Sequence, residues 1–250
     1  MYLKLSLLLM LLLTNGLHSN APTSRNTKIC ASNIELPLDH SNWNKLLQKH
    51  VDNMGNVDYK GFTKDVAALQ NYLDYLANNR PVNEAPKPEK LAYYINLYNA
   101  ATVKLIIDNY PTTSIKDIKN PWGKDIVHIG NETISLGDLE HKILRKMDEP
   151  RIHFAINCAS YSCPKLLNTA FTAVNLEKLL EHMAIDFIND PKRNVLTKEK
   201  AALSEIFNWY KNDFTEKGSL VDYINKYASI KITSKTKISY LNYNWALNEN

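Results

Sequence analysis

The sequence lacks a clustered run of basic residues, an internal repeat and a second long apolar segment. Its 30 Lys and Arg residues slightly outnumber its 26 Asp and Glu residues, which leaves a formal net charge of +4. Because the lysines are scattered through predicted helices rather than gathered in a stripe, the sequence argues against nucleic acid as a partner. Because no apolar span follows the amino-terminal one, we expect no membrane insertion once that segment is cleaved.

Cysteine is also scarce, with three residues at Cys30, Cys158 and Cys163. In a protein outside the cytosol a disulfide is expected, and an odd number of cysteines leaves one thiol unpaired. The sequence does not decide which two would pair.

The amino terminus has the form of an export signal. Lys4 precedes an apolar run from Leu5 to Leu13, which is too short to span a bilayer and typical of a cleavable signal peptide. We therefore predict a signal peptide over 1–21, a flexible polar leader over 22–40 and a single globular domain over 41–250. The expected location is secreted or periplasmic.

The remaining sequence predicts an α+β domain dominated by helices, with a small antiparallel sheet around a buried central helix. That helix, over about 88–110, has almost no polar face, as expected for a helix buried on all sides. Hairpins are predicted over 125–134 and 192–203. Alternating apolar residues over 151–158 predict a strand, and a last strand is predicted near 237–241.

Two polar side chains interrupt the apolar central helix. Asn96 and Asn99 lie three residues apart and therefore on one face of the helix. A buried amide without partners costs about 1–3 kcal/mol, so both should be hydrogen-bonded. They either tie down a neighbouring loop or orient a catalytic group or a ligand.

Further polar residues lie within apolar patterns after the first hairpin. Glu140 falls on the apolar face of a helix that Ser135 is expected to cap, and it needs a partner such as Arg151 or a histidine. His141 follows it, and His153 and Asn157 share one face of the predicted strand. Each of these side chains is either a structural group or part of a functional site.

The segment from Cys158 to Pro164 offers three kinds of chemistry. Because proline favours the first position of a helix, Cys163 could cap a short helix whose dipole stabilises its thiolate. The alternative is a disulfide between Cys158 and Cys163, or between either of them and Cys30. A zinc site with histidines is a third option, although the spacing matches none of the standard metal patterns.

Several motifs, in this order, resemble the domain of unknown function 547 family. They are Tyr94-Ile-Asn96-Leu-Tyr98-Asn99-Ala100, Leu139-Glu140-His141-Lys-Ile-Leu144, Arg151-Ile-His153-Phe-Ala155-Ile-Asn157-Cys158, Ser162-Cys163-Pro164, Phe207-Asn-Trp209-Tyr210-Lys-Asn-Asp213-Phe214 and Tyr243-Asn244-Trp245-Ala-Leu247-Asn248. The resemblance predicts a full-length match of the mature chain, from about Trp43 to Asn248. It implies that the polar residues above are family positions. One departure is Asn244, where the family usually carries Asp.

Two functions from different classes follow. The first is a disulfide-stabilised binding or structural domain with a polar family site. The alternative is a thiol-dependent hydrolase or acyl transferase with Cys163 as nucleophile, His141 or His153 as base and Glu140 or an asparagine as orienting group. In either function Asn96, Asn99, Arg151 and Asn157 would orient the site. The expected partner is an unidentified small molecule or peptide, and no cofactor is expected apart from the zinc option.

Overall fold

The computed structural model describes residues 37–249. The predicted signal peptide, Cys30 and most of the predicted leader lie outside these residues, so cleavage and export stay predictions. Within the described part of the chain, no helix combines the length and the apolar character that crossing a bilayer requires.

The amino-terminal half of the described chain is helical. It contains α1 (Ser41–His50), α2 (Tyr59–Phe62), α3 (Val66–Asn78) and α4 (Lys87–Asp108), with short 3-10 turns at Thr63–Asp65 and Ile115–Asp117. His40 precedes α1 without a side-chain capping bond, and the Asp39 carboxylate accepts a hydrogen bond from the Ser41 nitrogen at 2.8 Å.

The central helix α4 is buried as predicted. Every residue from Leu91 to Val103 is buried, and α2, α3 and α7 (Leu176–Asn189) pack around the helix. Pro88 lies in its first turn, where the missing amide hydrogen costs nothing, and Pro111 follows its end at Asp108. Later segments of the chain pack against this helix.

Two small sheets complete the fold. Strands β1 (Asp125–Ile129) and β2 (Glu132–Ser135) form the predicted antiparallel hairpin, which turns at Gly130 in the left-handed region, with φ 59°. In the second sheet β4 (Lys200–Leu203) pairs antiparallel with β3 (Val195–Leu196) and parallel with β5 (Lys237–Tyr240). The helix-dominated α+β class is therefore confirmed, with a mixed sheet beside the antiparallel one.

Short helical segments connect these strands. A continuous helical stretch over 136–147 consists of α5 (Leu136–Asp138), a π-helical turn (Leu139–Ile143) and a 3-10 turn (Leu144–Met147). Helix α6 (Ile152–Ala155) lies between the two sheets in the chain. Helices α8 (Ile206–Trp209), α9 (Lys211–Thr215) and α10 (Leu220–Tyr227) lie between β4 and β5.

The predicted strand over 151–158 is wrong. The chain forms helix α6 and becomes extended only at Ile156, with ψ 137°. His153 and Ala155 are as buried as Ile152 and Phe154, so the apparent alternation of faces does not exist in the fold. A short apolar run buried on all sides fits a strand or a helix equally well, so its periodicity could not decide.

Candidate functional site

A cavity of about 330 Å³ brings together residues from six separated segments of the chain. Glu140, His141, His153 and Cys163, the predicted catalytic residues, all line it, and so does Cys158. The rest of the wall is mostly aromatic. The aromatic residues of the wall are Tyr98, Trp122, Trp209, Tyr210, Tyr243 and Trp245.

The π-helical turn places Glu140 in this wall. Ser135 caps the preceding helical turn by accepting a hydrogen bond from the Asp138 amide at 3.0 Å, as the sequence predicts. The helix then widens into the π turn, a feature frequent at functional sites. In this π turn the Glu140 side chain is only 6% exposed.

Glu140 has one partnered and one unpartnered oxygen. Tyr98 of α4 donates to its Oε2 at 3.3 Å, whereas its Oε1 is buried and has no hydrogen-bond partner. Nδ1 of His141 lies 3.9 Å from Oε1, which is within ion-pair range but beyond hydrogen-bond distance. The expected pairing of Glu140 with a histidine is therefore limited to this long contact, and the pairing with Arg151 is wrong.

Arg151 lies in an ion-pair cluster of its own. Its guanidinium donates to Glu149 and Glu177, each at 2.7 Å, and approaches Glu181 at 3.3 Å. These hydrogen bonds, above all those to Glu149, raise its pKa. Arg151 does not line the cavity, so it has a structural role in the packing of α6 against α7.

His153 is held by an acid that the sequence analysis did not single out. Its Nε2 lies 2.8 Å from Oδ2 of Asp213, and its ring stacks on Tyr210 with 3.9 Å between centroids. Arg145 donates two hydrogen bonds of 2.7 Å to the same carboxylate. Burial alone would raise the pKa of Asp213, but the bonds from Arg145 and His153 hold it well below its usual range.

These contacts fix the protonation of His153. Burial lowers its pKa, and the bond to Asp213 offsets only part of that effect, so the ring is neutral at pH 7. An ionised carboxylate only accepts hydrogen bonds, so Nε2 carries the proton and Nδ1 is an acceptor. His153 is thus a neutral base in a fixed orientation in the cavity wall.

His141 occupies a different position. Its side chain is 51% exposed, and its Nδ1 accepts a hydrogen bond from Arg145 at 3.2 Å. It lies at the rim of the cavity and is much more accessible than His153.

The loop over 157–164 carries both cysteines as free thiols. The backbone amide of Cys158 donates to the Cys163 sulfur at 2.9 Å, so each residue lies against the other without a disulfide. No helix follows Cys163, and the expected helix cap that would activate this thiol is therefore absent. The chain continues past Pro164 as an irregular loop.

The two thiols differ in acidity. A hydrogen bond from Cys163 is the largest influence on Cys158, and together with bonds to Ser160 and Tyr243 it lowers the Cys158 pKa against the opposing effect of burial. The sulfur lies 3.0 Å from the Ser160 hydroxyl and 3.3 Å from that of Tyr243. Burial raises the pKa of Cys163 well above its usual range. The thiolate therefore forms at Cys158.

The backbone of this loop is strained at one buried residue. Ala159 is fully buried and adopts φ 58°, in the left-handed region that a non-glycine residue rarely occupies. Such strain persists only where the surroundings impose it, and it clusters at functional sites. Here it lies immediately after the more acidic cysteine.

The carboxy-terminal segment is hydrogen-bonded to the loop over 157–164 and holds it in place. The Tyr161 amide donates to Ala246 at 2.7 Å, and Ser160 pairs with Leu247 in an antiparallel bridge. Asn244 is exposed and does not line the cavity, and its side-chain oxygen accepts from the Ala246 amide at 3.0 Å. An aspartate would accept the same bond, so its replacement by asparagine removes no charge from the cavity.

Asn96 and Asn99 of the central helix are hydrogen-bonded to the backbone of neighbouring loops. This is the first of the two roles that the sequence analysis leaves open for them. Asn96 exchanges two hydrogen bonds with the backbone of Phe171. Asn99 donates to the Ala155 carbonyl at 3.0 Å and accepts from the Asn157 amide at 2.8 Å. Asn99 therefore fixes the turn that leads into Cys158.

Asn157 fixes the loop from inside. Its amide donates to the Pro164 carbonyl at 2.7 Å, and its oxygen accepts from the Ala159 amide at 2.8 Å. One side chain thus joins the two ends of the segment that contains both cysteines.

No group of three or more His, Cys, Asp or Glu side chains that could hold a metal ion occurs among the described residues. The zinc option therefore has no ligand set in this part of the chain.

These observations define a helix-dominated α+β protein with an aromatic cavity that contains a free thiol pair, a buried carboxylate and a histidine held by an aspartate. Residues 82–188 match the family described as "Protein of unknown function, DUF547". The match covers part of the chain, so the predicted full-length match is wrong. No curated protein and no solved structure matches the chain.

The matched segment contains the polar residues singled out from the sequence, from Asn96 to Cys163. It ends before Tyr210, Asp213 and Tyr243, which complete the site in the fold. These three residues lie inside motifs that the sequence analysis quoted, but no local pattern pointed to a role for them.

Proposed function

We propose that this protein is a thiol-dependent enzyme of the hydrolase or acyl-transferase class, with Cys158 as its nucleophile. The observation that carries this proposal is the free Cys158 thiol in the cavity wall, with a pKa lowered by hydrogen bonds from Cys163, Ser160 and Tyr243. The thiolate is the reactive form of cysteine, so a group that favours it at neutral pH favours nucleophilic attack.

Cys158 fits this role better than Cys163, the nucleophile expected from the sequence. Cys163 is 5% exposed, and burial keeps its thiol protonated. The protonated Cys163, whose sulfur accepts a hydrogen bond from the Cys158 amide, lies against Cys158 and favours its thiolate. Cys163 therefore acts as a positioning residue for the nucleophile.

His153 supplies the base. Cys158 has its own hydrogen-bond donors, so it does not need a histidine to deprotonate it. The neutral His153 faces the same cavity and is held by Asp213, as a general base is commonly held by a third group. Its role is to take a proton from the water or acceptor molecule that releases the acyl group.

The reaction proceeds in two steps. The Cys158 sulfur attacks the acyl carbon, a carbon–sulfur bond forms, and the bond to the leaving group breaks with its electron pair. A water or an acceptor molecule then attacks the thioester carbon and gives its proton to His153. The Cys158 thiolate leaves, and the carboxylic acid or the transferred acyl product is released.

A second candidate is a secreted, non-catalytic binding domain whose cysteines are bridged. The contact between the Cys158 amide and the Cys163 sulfur favours it, since two cysteines this close can be oxidised to a disulfide. In that case the thiol pair would serve stability rather than catalysis.

The test uses p-nitrophenyl acetate, an activated ester, with purified Cys30→Ser protein so that only two thiols remain. We expect a burst of p-nitrophenolate and an acetyl thioester on the peptide that contains Cys158, identified by mass spectrometry. Cys158→Ser should abolish the burst. His153→Gln should leave the burst and slow the later turnover. His182→Gln serves as the matched control and should leave both unchanged, since His182 is exposed on α7 and does not line the cavity.

Iodoacetamide labelling at varied pH tests the acidity directly. We expect Cys158 to label with a midpoint below about 8.5, the ordinary pKa of cysteine, and Cys163 to label only above it. Thiols that label only after reduction would support the bridged binding domain. Acylation of Cys163 in place of Cys158 would overturn the assignment of the nucleophile.

A further inference from the structure

We propose that the cavity binds a substrate with a cationic group, a primary ammonium, and that Glu140 is the residue that recognises it. The inference rests on the proposed function in that it names the substrate class of the same site. Binding itself does not require the thiol chemistry, so the two can be tested apart.

The first argument is the unpartnered oxygen of Glu140. Its Oε1 is buried without a hydrogen-bond partner, although the side chain lines the cavity and its Oε2 is bonded to Tyr98. The Tyr210 hydroxyl is also near this carboxylate, and burial together with Glu140 raises the pKa of that phenol, so the hydroxyl stays neutral and leaves the Glu140 charge uncompensated. A buried acceptor without a partner costs stability, and the cost is larger for a charged group. An N–H donor of a bound ligand would satisfy this oxygen and neutralise its charge.

The second argument is the charge balance of the cavity wall. The groups of the wall that can carry a negative charge are the Glu140 carboxylate and the Cys158 thiol with its lowered pKa. Of its two histidines, His153 is neutral and His141 lies at the half-exposed rim. Within the described part of the chain no lysine or arginine lines the cavity. A negative enclosed site of this kind favours a cation over a neutral or anionic ligand.

The third argument is the aromatic wall at the entrance. The Trp245 ring lies 4.5 Å from Tyr243 and 5.7 Å from Trp209, centroid to centroid, and Trp209 is 46% exposed. Aromatic faces attract ammonium groups through their quadrupole, and they cover the alkyl chain that carries such a group.

Two cationic side chains of the protein already lie over aromatic rings of the wall. The Lys116 ammonium lies 5.2 Å from the Trp245 ring centre, and the Arg145 guanidinium lies 5.4 Å from that of Tyr210. Tyr210 also stacks on His153, so its ring is occupied. Among the described residues, Trp209 and Tyr243 have no side-chain cation over their rings. Both rings pack on Trp245, and the 46% exposed Trp209 keeps an outer surface that a ligand can reach.

The experiment measures binding to the Cys158→Ser protein, in which neither acylation nor a thiolate charge contributes. The probes are N-acetyl-lysinamide and N-acetyl-norleucinamide, which share the alkyl chain and differ in the ammonium group. We expect the lysine probe to bind about 10–100-fold more tightly, the range for a hydrogen bond to a charged group. Calorimetry and tryptophan fluorescence are the readouts.

Glu140→Gln should reduce the preference to less than about threefold, because the amide keeps the shape of the side chain and removes its charge. Glu199→Gln is the matched control, since Glu199 is exposed on the turn before β4 and away from the cavity. Equal binding of the two probes to the Cys158→Ser protein would overturn the inference, even if Glu140→Gln failed to fold. A missing acyl-enzyme in the Cys30→Ser protein would instead overturn the proposed function alone.

Discussion

The substitution Asn99→Leu tests whether the central helix controls the reactive thiol. Asn99 makes two hydrogen bonds with the turn that precedes Cys158, one to the Ala155 carbonyl and one from the Asn157 amide. Leucine fills a similar volume but makes neither bond. Both backbone groups are buried, so they would lose their partners without gaining water.

The magnitude follows from these two groups. A buried polar group left unsatisfied costs about 1–3 kcal/mol, and the leucine side chain returns part of that through apolar burial. We expect the free energy of unfolding to fall by about 2–4 kcal/mol. We also expect the released turn to weaken the hydrogen bonds around Cys158, which raises its pKa toward the ordinary value.

Asn96→Leu is the matched control. Asn96 lies on the same face of α4, is equally buried and also makes two hydrogen bonds to a backbone, in its case that of Phe171. The two variants should lose similar stability in urea unfolding. Only Asn99→Leu should shift the pH midpoint for iodoacetamide labelling of Cys158.

Two results would refute this reasoning. If Asn99→Leu unfolds at the same urea concentration as the unmodified protein, Asn99 is not held in a buried pair of hydrogen bonds. If both variants shift the labelling midpoint equally, general loosening of the fold controls the thiol, and Asn99 has no specific role.

Two further predictions concern residues outside the thiol pair. Asn244→Asp should leave the labelling midpoint of Cys158 unchanged in the iodoacetamide assay, because either side chain accepts the Ala246 amide and neither lines the cavity. Burial lowers the pKa of His40, which is hydrogen-bonded to Tyr72, to about 4, so between pH 6.5 and 4 the unfolded chain binds more protons and stability falls as the pH falls. That loss should reach about 2–3 kcal/mol by pH 4 in urea titrations and should be absent in His40→Gln.

The sequence predicted the fold wherever one strong pattern decided the structure. The all-apolar pattern of α4 and the Gly130 turn each leave one low-energy arrangement, and both were found as predicted. The segment over 151–158 failed because its side chains are buried in every direction. Its conformation is decided by the tertiary bonds from Asn99 and Asn157 rather than by local periodicity.

The site was predicted in part for a similar reason. Polar residues inside apolar patterns, such as Glu140 and His153, stand out in a sequence because burial of a polar group needs a partner. The partner itself does not stand out. Asp213 lies in a mostly polar stretch, and only the fold reveals that it joins Arg145 and His153.

The same logic explains why the wrong cysteine looked more reactive. A local argument assigns the activated thiol to Cys163, because Pro164 suggests a helix start. The fold provides no helix there, and it buries Cys163 while it surrounds Cys158 with three donors. Acidity at this site is a property of the contacts around the loop, so it was not readable from the loop alone.

The segment that matches the family model, 82–188, therefore does not contain the complete site. Residues 82–188 carry the thiols, Glu140 and His153, but Asp213 orients the histidine and the hydroxyl of Tyr243 lies against the thiol, and both come from later in the chain. Without Asp213 the imidazole of His153 would lose the contact that fixes its tautomer. Without the strand-like segment over 243–248 the Cys158 loop would lose the backbone bonds at Tyr161 and Ser160. The residues that supply the chemistry and the residues that set their protonation are thus in different parts of the sequence, and the fold of 37–249 brings them together.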